Sequence, residues 1–269
     1  MELILICILI GCGLLAGFMS GLLGVGGGFI FAPVMYFVLQ KSGVPDEIAI
    51  LVAFGTSLAA AFPTVLTSAI GHSRKGNVIW RDAIIMGLCG TVTGFIGGTV
   101  ATYLPVRVLT ILFGIMLVIG AIRLVTSLPS GEGEKMAAPL AGSIGGVTGF
   151  MSGLLGVGGG TILVPMMVLL GKFTMKKATA TSAAAIIFIT LGGILSYLVN
   201  GLSAGVDLSA YGFYLVGYID IFMWVILVLT AIPMVLLAVR VGGRVSDVWL
   251  RRIFFVLMII IAVKMLFAG

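Results

Sequence analysis

Charge is scarce in this chain. Only 9% of its 269 residues are Asp, Glu, Lys or Arg, where a water-soluble domain carries about 25%. Two long stretches, Leu3 to Leu39 and Met136 to Gly171, hold none. Histidine is almost absent, with His72 alone. Cysteine is limited to Cys7, Cys12 and Cys89, each inside an apolar run and none in a Cys-x-x-Cys pair. That pattern excludes a disulfide framework and a cysteine-held metal, and leaves the three as small apolar packing residues. The zinc-protease motif H-E-x-x-H is missing as well. Ser20 sits between Gly17 and Gly21, but the one histidine falls far along the chain in a basic loop, where it reads as headgroup-facing. No enzyme, catalytic residue, metal site or cofactor is expected.

What fills the chain is apolar. Hydrophobic residues make up 61% and the mean hydropathy is +1.31. A single aqueous core cannot hide that much surface, so lipid must be the solvent for most of it. The formal charge of +6 then speaks of orientation in a membrane, not of nucleic acid, because the basic residues lie in short loops. The N-terminus has Glu2 in place of a basic patch, and no A-x-A-like cleavage site follows the first apolar run. That run is expected to stay in the mature protein.

The two uncharged stretches are too long for straight spans. A helix rises about 1.5 Å per residue and the hydrocarbon core is about 30 Å thick, so each must break. Glycine clusters mark the breaks at Gly24-Val25-Gly26-Gly27-Gly28 and Gly156-Val157-Gly158-Gly159-Gly160, followed by Pro33 and Pro165. Half-helices are expected over 29–39 and 161–170, and full spans over 48–70, 83–103, 108–122, 178–199, 221–239 and 253–267.

The chain also repeats itself. Residues 17–28, GFMSGLLGVGGG, recur letter for letter at 149–160. Pro33 and Pro165 keep the same offset, Thr56-Ser57 correspond to Thr181-Ser182, Gly76 to Gly217 and Arg123 to Lys264, with an insertion near 200–214. The expected organisation is a first transmembrane repeat over 1–125, a connecting loop over 126–138 and a second repeat over 139–269. Loop charge indicates the relative orientation. If each broken run is a hairpin that enters and leaves on one side, twelve of the fifteen Lys and Arg residues collect in loops 71–82, 123–138, 172–177 and 240–252, and two on the other face. Letting the broken runs cross spoils this asymmetry. The fold class is therefore an all-α polytopic membrane protein of two inverted repeats, each a re-entrant hairpin plus three spans. Lys264 is the discordant charge.

Such hairpins have chemical consequences. A helix start exposes N–H groups and carries roughly half a positive charge. Two starts meeting at mid-depth would hold an anion without a buried cation, and adjacent glycines let it approach closely. Hydroxyls can add neutral donors, from Ser20, Thr56 and Ser57, their counterparts Ser152, Thr181 and Ser182, and Thr161, which opens the second half-helix where the first has Phe29. Each also has an ordinary use, bonding a carbonyl in its own helix or the next. Gly13, Gly17 and Gly21, Gly145, Gly149 and Gly153, and Gly90, Gly94 and Gly98 have the small-xxx-small spacing of close helix packing. Asp82 and Asp220 are placed at span entrances and Asp207 in the insertion, so no carboxylate sits clearly within a span for proton coupling.

The repeated GFMSGLLGVGGG with its prolines, the GTS at 55–57 and HSRKGNVIW at 72–80 resemble the sulfite exporter TauE/SafE family, the toluene sulfonate uptake permease group, over essentially the whole chain. The resemblance implies a multi-pass transporter of the cell inner membrane. It would carry small sulfur-containing anions such as sulfite or organosulfonates by alternating access, with export the expected direction. It implies substrate-binding roles for Gly24, Gly26, Gly27, Gly28, Thr56 and Ser57, and for Gly156, Gly158, Gly159, Gly160, Thr181 and Ser182. The second half reads Ala180-Thr181-Ser182, so Gly55 has no glycine counterpart. An anion channel, or a carrier of another small organic anion, is the alternative; two half-sites favour a carrier. The expected partners are the anion and the lipid bilayer, with oligomer formation compatible and no nucleic acid.

Overall fold

The computed structural model describes residues 3–125, 135–241 and 247–267. Most of the expected connecting loop, at 126–134, and residues 242–246 of the last basic loop lie outside the described residues. Among the described residues ten α-helices follow in order: α1 (Leu3–Leu23), α2 (Gly28–Lys41), α3 (Asp46–Ser73), α4 (Trp80–Ala101), α5 (Val106–Val125), α6 (Ala138–Leu155), α7 (Gly160–Leu169), α8 (Met175–Ala204), α9 (Ile221–Val241) and α10 (Asp247–Phe267). Six of them, α1, α3, α4, α6, α8 and α9, are long and apolar enough to cross a membrane. The protein is an all-α, multi-pass membrane protein. Helix interiors rich in Ala, Leu, Ile and Val satisfy their backbone internally, as lipid requires.

A helix covers each expected span, with ends that differ by a few residues, although α5 and α10, over 108–122 and 253–267, are not among those six. One departure is local. The insertion near 200–214 is helical as far as Ala204; a short 3-10 turn then leads to an antiparallel pair, β1 (Leu215–Val216) with β2 (Ile219–Asp220). Gly217 turns this hairpin at φ 63°.

Glycine stripes form the seams. A Cβ on Gly17 would lie 2.4 Å from the Ala231 carbonyl oxygen of α9, and one on Gly21 2.6 Å from that of Val235. On α6, Gly145, Gly149 and Gly153 press on Met86, Gly90 and Gly94 of α4, where added Cβ atoms would stand 2.2, 2.2 and 2.0 Å from carbonyl oxygens. Backbones approach this closely only where side chains are missing. Thus α1 lies along α9 as α6 lies along α4; α3 pairs with α8 and α5 with α10.

Polar contacts repeat with the halves exchanged. His72 Nε2 lies 3.2 Å from the Gly21 carbonyl oxygen, and the Tyr197 hydroxyl donates to the Gly153 carbonyl at 3.0 Å. His72 is in the last turn of α3, with Nδ1 buried, so the headgroup-facing loop position expected from the sequence is corrected. The preceding glycine, Gly71, packs against Val239, and Lys75 Nζ donates to the Val239 carbonyl; together they draw the end of α3 onto α1 and α9. Asp82, in the first turn of α4, and Asp220, just ahead of α9, stand at span entrances as expected, and both are fully buried. Their carboxylates accept backbone N–H groups, Met136 on Asp82 (2.9 Å), and Met223 (2.7 Å) and Tyr214 (3.1 Å) on Asp220. Burial pushes the Asp220 carboxyl above its ordinary range, with those N–H bonds opposing. Lys264, the discordant charge, lies over the Phe37 ring at 4.9 Å from its centroid.

These bonds also give the course of the first hairpin. The last turn of α1 meets the last turn of α3, whereas α2 begins beside Ser57, near the middle of α3, and runs back to where α3 starts. At about 1.5 Å per residue, the 21 residues of α1 cover about 31 Å and the 14 of α2 about 21 Å. The hairpin arms are therefore unequal: a nearly full-length arm followed by a shorter return.

Candidate functional site

The two glycine breaks meet. A Cβ on Gly28 would lie 2.4 Å from the Val157 carbonyl oxygen, and one on Gly160 2.3 Å from Val25 Cα. Each half-helix therefore starts against the backbone of the other break. Within each break three glycines are left-handed: Gly24, Gly26 and Gly27 at φ 64°, 85° and 71°, and Gly156, Gly158 and Gly159 at φ 67°, 80° and 86°. Side chains rarely adopt this conformation, which is why glycine stands at all six positions. Gly26 and Gly158 face a common apolar wall, with Ala61 and Ile186 within 3.7–3.8 Å of both Cβ directions.

Neither helix start has a side-chain cap; Gly27 and Gly159 are the N-caps of α2 and α7. The dipoles of both helices point their positive ends at the meeting point. Buried Lys or Arg is absent among the described residues.

The structure gives each expected hydroxyl a definite place. Ser57 donates to the carbonyls of Gly156 (2.8 Å) and Gly28 (3.1 Å), and Ser182 to those of Gly24 (3.2 Å) and Thr179 (2.9 Å). Each serine thus ties its helix to the break of the opposite half. Thr56 accepts the N–H of Asp220 at 2.9 Å and Thr181 that of Ile79 at 3.0 Å, just ahead of α9 and α4. These threonines receive backbone donors that precede a helix and would otherwise be orphaned. Replacing either by valine keeps the shape and strands a buried N–H. We expect Thr56→Val and Thr181→Val each to lower the unfolding free energy by roughly 1–3 kcal/mol, measured by unfolding in mixed micelles.

Five buried side-chain polar atoms among the described residues have no hydrogen-bond partner: Ser20 Oγ, His72 Nδ1, Thr148 Oγ1, Ser152 Oγ and Thr161 Oγ1. All but His72, in the last turn of α3, lie on the helices that flank the breaks. Thr148 and Ser152, one turn apart on α6, both face Gly159, where a Cβ would meet Thr148 Cγ2 at 2.7 Å and Ser152 Cβ at 3.4 Å. Thr161 is in the first turn of α7. Thr148 was missed by sequence reasoning. Its signal is a break in the repeat, since the corresponding residue of the first half is Ala16.

Known proteins bear on this arrangement. Residues 9–265 match the family model described as sulfite exporter TauE/SafE. A probable membrane transporter protein of Methanocaldococcus jannaschii is 31% identical over 252 residues, 93% of this chain and 91% of its own length. One of Haemophilus influenzae is 32% identical over 74% of this chain and 75% of its own. The probable membrane transporter protein YunE of Bacillus subtilis is 28% identical over 72% and 78%.

Proposed function

The chain belongs to the sulfite exporter TauE/SafE family, and from that premise we propose that it is a secondary carrier that moves small sulfur-containing anions, sulfite or organosulfonates, out across the cell inner membrane. The observation that carries the reading is the meeting of two uncapped helix starts at two left-handed glycine breaks, with no Lys or Arg buried among the described residues. Positive dipole ends and close backbone approach suit an anion. A donor set without fixed charge binds it without the cost of a buried cation. The substrate-binding residues proposed are the six left-handed glycines, Gly28 and Gly160 at the helix starts, and Thr161, with Ser57, Ser182, Thr56 and Thr181 holding that backbone in place.

The reading includes inverted repeats over 1–125 and 139–269. Contacts that recur with the halves exchanged support a two-fold relation, and the basic loops support opposite orientation. Rocking of one bundle against the other about the shared breaks would then open the site to each side in turn. In a background free of Cys7, Cys12 and Cys89, Ser42→Cys and Thr174→Cys are expected to react with an impermeant maleimide from opposite faces of the membrane. Labelling from the same face would remove the inverted arrangement.

Transport itself is tested with purified protein in liposomes. Saturable sulfite or ethanesulfonate flux with counterflow is expected; unsaturable flux without counterflow would indicate a channel, and no flux would remove the reading.

A further inference from the structure

The two breaks share their backbone but differ in the hydroxyls around them. Beside the second stand Thr148, Ser152 and Thr161, buried to 0%, 1% and 7% exposure, each without a partner. At the corresponding places the first break has Ala16, Ser20 and Phe29. Ser20 is the only hydroxyl of that set, and Ala16 packs against the Cβ direction of Gly27 where Thr148 packs against that of Gly159. A buried hydroxyl left unpaired costs about 1–3 kcal/mol. Three around one helix start form an excess of donors that the folded chain leaves unsatisfied.

We infer that the second break is the recognition half of the site: Thr148, Ser152 and Thr161, with the start of α7, take the oxyanion head of the substrate, and the first break receives its apolar remainder. This rests on the anion-carrier reading and names the substrate class within it, a one-headed oxyanion such as a short alkylsulfonate. The hydroxyls reach oxygens from α6 on one side and the α7 start on the other. The donor-poor break, with Ala16 and Phe29 where the other has Thr148 and Thr161, leaves oxygens on that side unsatisfied, so a tetrahedral dianion with acceptors on every face fits less well.

The test is calorimetric titration of the purified full chain with ethanesulfonate, sulfite and sulfate. Thr148→Val and Ser152→Ala are each expected to weaken ethanesulfonate binding by about five- to ten-fold, and Ser20→Ala by less than about two-fold. Sulfate is expected to bind wild type at least about five-fold more weakly than ethanesulfonate. Both variants should melt at a higher temperature without ligand, since each removes an unpaired buried hydroxyl, so reduced affinity cannot be ascribed to misfolding. Unchanged ethanesulfonate affinity in folded Thr148→Val and Ser152→Ala, equal loss in Ser20→Ala, or equal affinity for sulfate would overturn the inference while leaving an anion carrier. Wild type that binds none of the three anions would overturn the carrier reading as well.

Discussion

Gly28→Ala and Gly160→Ala are expected to abolish transport, although each adds one methyl group. At both positions the methyl would occupy space held by the backbone of the opposite break, 2.4 Å from the Val157 carbonyl oxygen and 2.3 Å from Val25 Cα. Real Cβ atoms do not approach that closely, and backbone cannot rotate aside as a side-chain end can. The two helix starts must separate, and the anion loses the convergence of both dipoles. Losing one charge-assisted hydrogen bond costs about 1.5–3 kcal/mol, roughly ten- to a hundred-fold in affinity; separating both starts removes several at once. Gly158→Ala provides the contrast. Its nearest neighbour would be Ala61 Cβ at 3.7 Å, so space is available and only the positive φ of 80° is strained, a cost of about 1–2 kcal/mol. Gly27→Val and Gly159→Val combine crowding with positive φ and should also eliminate transport, Gly159 the more severely because Thr148 Cγ2 stands 2.7 Å away. Uptake into liposomes by monodisperse protein checks the series. Normal transport by folded Gly28→Ala and Gly160→Ala would mean that the meeting of the breaks is not where the anion binds.

The second large effect is on assembly. Gly149→Leu should prevent recovery of folded protein, because α6 lies on α4 with a Gly149 Cβ direction 2.2 Å from the Gly90 carbonyl oxygen and 2.4 Å from its Cα. Lipid offers little driving force for pushing helices together, so the association depends on this close fit. Overpacking typically costs 1–3 kcal/mol in a soluble core; here the whole seam must open, and about 5 kcal/mol or more is expected. Gly11→Leu, with nothing within 4 Å of its Cβ direction, is the matched control and should leave yield unchanged. Size-exclusion profiles in mild detergent distinguish the two. A sharp, normal peak for Gly149→Leu would show that the seam can slide.

The architecture was readable because the chain states it twice. Two identical twelve-residue strings located both breaks, and a charge-free run too long for the bilayer required each to turn. The glycine triplets at spacing four indicated seams, and they lie in seams. The lengths of the hairpin arms were not readable, since nothing in a run without charges says where a helix meets the headgroups. Contacts between halves were hidden for another reason. Ser57 and Gly156 are 99 residues apart and Ser182 and Gly24 are 158 apart, and periodicity carries no information at that range. His72 looked like part of a basic loop because Arg74 and Lys75 follow it. Its place beside Gly21 becomes intelligible only when Tyr197 is seen beside Gly153. Thr148 lay just outside the identical strings, where a difference between the copies says more than their likeness.

The exchanged serine bonds bear on how the chain must be made. Ser182 reaches the Gly24 carbonyl only after the ribosome has added 158 further residues. Until then the first hairpin resides in the translocon or the bilayer with one of its turn carbonyls unanswered. Neither half is a spare copy of the other, because each supplies the hydroxyl that completes its sibling's turn. The first hairpin can reach its finished form only when the last third of the polypeptide has been inserted. A nascent chain released early leaves that turn carbonyl in the membrane without its Ser182 donor.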